Sequence, residues 1–417
     1  MKSSLLARSF LLTCFVFAFA GCSTIDDVQS WFAPRHVAQK AAPSNAAPPA
    51  LAEQPSPPAA QNAMPPVPPP APKLPPNAKI KVAILLPLSG KNAPLGQAML
   101  NAAQLAVFDV ADPHFELMPR DTGLSDGAAE VVARDALANG AQLIIGPVFA
   151  TNVTSVKPIA AVAGVNMLAL STDTSLADQN VFVMGFAPGA QIERAVAYAH
   201  VHGVQNFAAL VPKGAYGNLI GDAFQAAVAR QGDAVVDIES FDPARHDSEV
   251  AVTALAARRD RIDALLLPEG GDDLKLIAGQ LAGANFDPKR THLIGTGLWD
   301  VADIGHATFL IGGWYAAPDP RARQNFLKAY TKAYGQEPPR LATLAYDATA
   351  LAALLAKQGG RFDRAALTNP NGFAGIDGIF RLTNQGIVER GLAVLEVTNN
   401  GGHLVDPAPS TFAAKGY

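Results

Sequence analysis

Two kinds of apolar spacing alternate along most of the chain. Short runs rich in Val, Ile, Leu and Phe read as buried strands: Val82–Leu86, Phe115–Met118, Gln142–Ile145, Met167–Leu170 and Val181–Met184. Between them, Leu95–Phe108, Gly127–Ala138 and Asn152–Val162 set apolar residues three and four apart, the spacing of one helix face. Strands that are apolar throughout, each followed by an amphipathic helix, imply βαβ units and a parallel sheet.

A second series repeats the plan. Helix Ala190–His200, strand Phe207–Val211, helix Gly221–Arg230 and strand Val235–Glu239 come first. Helix Ser248–Ala257, strand Ala264–Leu267, helix Leu274–Ala282 and strand His292–Gly295 follow. Helices at Arg321–Tyr334 and Leu341–Ala356 and two strand-like runs, Ile379–Leu382 and Gly391–Val397, close the pattern. The expected fold is α/β: two three-layer αβα lobes with parallel sheets and a cleft between them, or a single very large sheet.

Neither periodicity extends upstream of Lys79. Fourteen of the 33 prolines fall between Pro43 and Pro76, among Ala, Ser, Asn and Gln and without an aromatic residue. Such a segment cannot bury enough apolar surface to offset the entropy of ordering it, so residues 22–78 are expected to be a disordered tether. As polyproline II, residues 23–78 would reach at most roughly 170 Å; as a flexible coil, about 40 Å. The segment is either a spacer of meaningful length or a non-specific linker.

Residues 1–21 read as a leader. Lys2 and Arg8 precede the uncharged run Ser9–Ala20, too short to span a bilayer. The leader ends in Phe19-Ala20-Gly21-Cys22, which resembles a bacterial lipobox and implies lipidation at Cys22. The other reading is an ordinary secretory signal with an incidental cysteine. Cys14 would leave with the leader, so Cys22 would be the only thiol of the mature chain, without partners for a disulfide framework or a zinc cluster. In lipoproteins of this kind Ser23, where others carry Asp, implies the outer membrane.

Composition narrows the partners. Charged residues make up 16 % of the chain, below the usual quarter or so. Setting aside Lys2 and Arg8 leaves 30 cations against 36 carboxylates, a net charge of −6, which argues against nucleic acid. No Gly-x-Gly-x-x-Gly, phosphate loop or Gly-x-Ser-x-Gly elbow is present, and no cofactor or catalytic role is expected. His200 and His202, two apart, lie on different helix faces and make a poor metal pair. Asp272-Asp273 opens a helix, where negative charge suits the dipole.

The chain resembles the type I periplasmic binding proteins of the leucine-binding family. The resemblance rests on Ile84-Leu85-Leu86-Pro87-Leu88-Ser89-Gly90 with Gly96, on Pro119-Arg120-Asp121-Thr122, and on Ile144-Ile145-Gly146-Pro147. Ser171-Thr172 and Ala215-Tyr216-Gly217 extend it, so that it covers nearly all of residues 79–402. It implies a first lobe of residues 79–188 with about 318–370, and a second of 189–317 with about 371–405. The chain would cross near Ala187–Gln191, return near Gly313–Pro318, and cross once more after the helices.

Ligands of open α/β sheets sit beyond the carboxyl ends of strands. With the resemblance, that rule points to Ser89, Phe149, Thr151, Asn152, Ser171, Thr172, Tyr216, Glu269 and Trp314 as cleft residues. Thr151, Ser171 and Thr172 could donate to a ligand carboxylate or serve as helix caps. Glu269 could accept from an ammonium group or be a solvated loop acid. Tyr216, Trp314 and Trp299 could wall a ligand or pack within a lobe. Leu170, where amino-acid binders of the family usually have a small residue, could crowd a carboxylate.

Two roles fit the resemblance. One is a penicillin-binding protein activator lipoprotein, regulating peptidoglycan synthesis by touching a synthase; Gly375-Ile376-Asp377-Gly378-Ile379-Phe380, Gly386 and Arg390 resemble the activators' closing strands. The other is the amino-acid-binding component of an ABC transporter, with a permease as partner.

Overall fold

The computed structural model describes residues 79–412, apart from 112, 124, 125 and 246. The expected leader, lipidation at Cys22 and the proline-rich tether lie outside the described residues. Among those described, no helix is long and apolar enough to cross a membrane.

The first sheet is parallel, in the order β2 (Phe115–Asp121), β1 (Ile80–Leu86), β3 (Leu143–Ile145), β4 (Asn166–Ala169), β5 (Val181–Val183). Side chains alternate across a strand, and β1 is apolar on both faces for that reason. Val82, Ile84 and Leu86 enter one core with α1 (Ala93–Val110), whereas Ala83 and Leu85 enter another with α2 (Asp126–Ala138) and α3 (Ala150–Val162). The result is the expected three-layer lobe.

The second lobe runs from α4 (Pro188–Val201) through β6 (Asn206–Pro212), α5 (Ala215–Gln231), β7 (Ala234–Phe241) and α6 (Ser248–Ala256). It continues with β8 (Ala264–Leu267), α7 (Gly271–Gly283), β9 (His292–Gly295) and β10 (Trp314–Ala317). The chain then returns to the first lobe, where α8 (Gln324–Tyr334) and the almost wholly buried α9 (Ala342–Lys357) pack beside α1. The four-residue α10 (Arg364–Leu367) leads into an antiparallel sheet of β11 (Phe373–Gly375), β12 (Gly378–Leu382) and β13 (Val388–Arg390). Last come β14 (Ala393–Thr398) and β15 (Gly401–Asp406).

Two details refine the expected fold. The second sheet, ordered β15-β14-β10-β9-β8-β6-β7, is not wholly parallel: β14 runs antiparallel to β10, and β15 to β14. A short hairpin joins β14 to β15, and such a connection permits only antiparallel pairing. The boundary expected near residue 370 lies at 390–392, because Phe373, Phe380, Leu382 and Val388 bury themselves in the first lobe's core. Only β14 and β15 complete the second lobe.

The opening βα turn of each lobe is built alike. A Cβ on Gly96 of α1 would come within 2.1 Å of the Pro87 carbonyl oxygen, and one on Gly217 of α5 within 1.6 Å of the Pro212 carbonyl oxygen. Each helix therefore packs directly against the exit of the strand before it, and only glycine fits.

Candidate functional site

The first lobe offers strand exits and one helix start. Asp121, at the end of β2, accepts backbone N–H groups from Leu88 at 2.9 Å, Ser89 at 3.2 Å and Gly123 at 2.8 Å. Partial burial pushes its carboxyl up, but the bonds from Gly123, Ser89 and Leu88 outweigh that and hold it below the usual range. Ser89 is thus fixed on the lip through its backbone, half-buried.

Gly146, at φ +86°, bends the chain from β3 towards α3; a Cβ there would lie 2.4 Å from the Leu85 carbonyl oxygen. Phe149 occupies the N-cap position of α3 with no side-chain capping bond, and it packs against the first lobe's core. Thr151, inside the first turn and exposed, is not the N-cap that was one of its two readings. Asn152 is buried. An uncapped helix start keeps its partial positive charge available to an anion.

After β4, Ser171 is buried, and its hydroxyl accepts the Asp173 N–H at 3.1 Å within a local turn. Thr172 is exposed. Leu170 is only 2 % exposed and faces the core that holds Leu86 and Leu168, so it does not crowd the Thr172 side of the loop.

The second lobe gathers Tyr216, Glu269 and a residue the sequence reading missed, Thr296. They lie at the exits of β6, β8 and β9. The Tyr216 hydroxyl donates to the Pro268 carbonyl oxygen at 3.3 Å and is hydrogen bonded to Thr296; burial and the Glu269 charge push its pKa up to about 12. Glu269 is half-buried, and its Oε1 is buried without a hydrogen-bond partner. Burial, with the Asp273 charge added, pushes its pKa up to about 7. Asp272 and Asp273 do open α7, as the pattern implied. Thr296 carried one readable signal: it follows β9 as Glu269 follows β8.

Trp314 does not join them. It begins β10 rather than ending it, and it stacks on His292 with ring centroids 4.3 Å apart while its Nε1–H donates to Glu396 at 3.3 Å. His292 begins β9, so this cluster sits at the end of the sheet opposite the strand exits. Trp299 is fully buried in the second lobe's core, beneath Gly295.

Three crossovers join the lobes, through 184–187, 317–323 and 390–392. The first and third touch, with Arg390 Nη2–H donating to the Met184 carbonyl oxygen at 2.9 Å. Two guanidinium groups meet the Phe186 ring, Arg340 at 4.4 Å and Arg390 at 5.1 Å. Arg390 pairs with Asp347 of α9 at 3.5 Å, and Arg340 with Asp377 at 2.9 Å. Burial pushes Asp347 up; at Asp377 the two arginines and Thr343 outweigh burial and hold the carboxyl low. A cavity of about 10 Å³ beside Arg390, lined also by Phe186, Gln191 and Leu392, is close to the size of one water molecule.

A family model described as periplasmic binding protein matches residues 79–402. A solved structure from Rhodospirillum rubrum, assigned as a branched-chain amino acid ABC transporter, superposes with a TM-score of 0.70. It is 18 % identical, over 78 % of this chain and all of that one. The LivJ substrate-binding protein of Streptococcus pneumoniae, solved with isoleucine, gives a TM-score of 0.58 at 19 % identity, over 79 % of this chain and all of that one. An uncharacterized protein of Rickettsia prowazekii is 25 % identical over 232 residues, a match spanning 54 % of this chain and 62 % of that relative's length. At such identities the solved structures speak for the fold, and the family model, spanning both lobes, speaks for descent: the chain belongs to the periplasmic binding protein family.

Proposed function

We propose that this domain is a non-catalytic periplasmic solute-binding protein whose cleft takes a small molecule with an amino group, an amino acid in the simplest case. The observation that carries the reading is Glu269. A carboxylate oxygen buried without a partner costs free energy that a cationic ligand would recover. Tyr216 and Thr296 flank it, and the uncapped start of α3 with the Thr172 loop offers the first lobe's complement for a ligand carboxylate. The neighbour solved with isoleucine is consistent with this class of ligand. Such a protein would deliver its ligand to an ABC permease.

Calorimetry of the chain against an amino-acid library tests it. Micromolar binding that Glu269→Gln abolishes supports the reading, whereas no heat from any amino acid or amine rejects it.

A second reading follows from the N-terminal sequence. Phe19-Ala20-Gly21-Cys22 and the proline-rich segment after it suit a lipid-anchored protein that reaches inward from the outer membrane to a penicillin-binding protein and regulates peptidoglycan synthesis. Capture of a peptidoglycan synthase by the wild-type chain favours this reading, and release of Cys22→Ala to the soluble periplasm supports the anchor.

A further inference from the structure

One cluster of charges bridges the lobes outside the ligand-facing residues. Asp300 follows the loop 297–299, whose Trp299 is rooted in the second lobe's core. Its carboxylate accepts from Arg323 Nη1 at 3.1 Å, and Arg340 Nε lies 3.6 Å from the same oxygen. Both arginines lie on the first-lobe side: Arg323, at the end of the second crossover, occupies the N-cap position of α8 without a side-chain capping bond, and Arg340 precedes α9. The side chains of Asp300 and Arg323 are 11 % and 18 % exposed, so solvent screens the pair weakly.

The two sides of the contact differ in freedom. Arg340 is held by buried Asp377 at 2.9 Å, by Thr343 at 3.0 Å and against the Phe186 ring of the first crossover. It cannot follow Asp300 if the second lobe swings away. Tyr315 of β10 also faces Asp300, whose charge, after burial, helps to raise the Tyr315 pKa.

We propose that Asp300, Arg323 and Arg340 form an interlobe clasp that sets how far the cleft opens, independently of any ligand. Arg340 is its fixed jaw and Asp300 its movable one. Separating the lobes breaks both ion pairs at once and leaves Arg323 and Arg340 without that counter-charge, so the population of open molecules is held down. The Asp300 loop also packs beside the ligand-facing exit of β8, since a Cβ on Gly270 would meet Leu298 at 3.3 Å. Closure at the clasp is thereby coupled to the position of Glu269.

The test measures an interlobe distance without ligand. Spin labels are placed at the exposed positions Thr154→Cys on α3 and Asp222→Cys on α5, in the full chain with Cys14→Ser and Cys22→Ser, and pulsed electron resonance reads the distance distribution. In Asp300→Asn the long-distance population should rise about tenfold, the equivalent of about 1.4 kcal/mol. Arg323→Gln should shift it the same way by less, because Arg340 remains. The double variant should exceed Asp300→Asn by little, since both substitutions break one contact. An unchanged distribution in Asp300→Asn with its melting transition intact would overturn the clasp. If Asp300→Asn fails to fold, Arg323→Gln decides alone: a longer distance supports the clasp, and no change overturns it.

Discussion

Asp121 Oδ1 accepts the Leu88 N–H at 2.9 Å, tying the end of β2 to the turn that leaves β1. The bond, with those from Ser89 and Gly123, makes one carboxylate the anchor of the first lobe's lip. Asp121→Ala should leave three backbone donors without that acceptor and cost about 1–2 kcal/mol. Because its folded pKa is depressed, the stabilisation is present above the ordinary carboxylate value and disappears as pH falls through the depressed one. Urea unfolding of both proteins at pH 7 and pH 2.5 checks this: the difference should be large at the first and small at the second.

Glu269 should confer the opposite pH dependence. Its folded pKa is raised to about 7, so the folded state holds the proton more tightly than the unfolded state over roughly pH 4.5–7, and stability falls as pH rises across that window. Above it the wild-type chain carries the whole penalty of a half-buried carboxylate. Glu269→Gln should therefore be more stable at pH 8 by about 1 kcal/mol, a figure discounted for its partial solvent contact, with the gain shrinking at pH 5. Melting curves at the two pH values decide it.

For ligand binding the same group predicts a rise in affinity with pH. A cationic ligand needs the ionised carboxylate, and at pH 6 only about a tenth of molecules with a pKa near 7 carry it. Affinity for an amino acid should thus be about tenfold weaker at pH 6 than at pH 8. A flat profile over this range would remove Glu269 from the binding site.

Two helix–strand approaches set competing effects against each other. Alanine favours a helix by up to about 1 kcal/mol over glycine, but at Gly96 and Gly217 its methyl group would strike a carbonyl oxygen. Overpacking of this kind costs about 1–3 kcal/mol or more, so sterics should win. Gly217→Ala, with the closer approach, should be the more destabilising of the two in chemical denaturation, and Gly96→Ala should still fall below wild type.

Trp314→Ala should separate packing from binding. Removing an indole stacked on His292 and bonded to Glu396 should cost about 3–5 kcal/mol of stability. Ligand affinity of the folded fraction should not change, because the indole packs on His292 at the start of β9, whereas Glu269 lies beyond the end of β8.

The lobes were legible because a parallel sheet writes itself as continuous apolar runs: β8 and β9 match their expected spans residue for residue. β11, β13 and β15 were not, being short or, in β15, mostly half-buried or exposed, with little local pattern to mark them. Glu269 and Tyr216 could be found by the rule of strand exits. Trp314 could not be excluded by it, since residues 313–318 gave no sign that the strand begins at the tryptophan. Thr296 was within reach of the same rule, directly after β9, whereas the Asp300 clasp depends on contacts between segments far apart in sequence, which no local period records.

The return of β14 to pair with β10 has a consequence for how the molecule is made. The first lobe lacks the helices that bury α1 until α8 and α9 exist, and the second sheet lacks two strands until residue 406 has been added. Neither lobe can be completed by the first three-quarters of the polypeptide. A growing chain therefore emerges with both halves unfinished, exposing apolar strands that only its last residues cover. Delayed folding of this kind suits export as an unfolded thread, with the first lobe closing at β13 and the second once the final hairpin arrives.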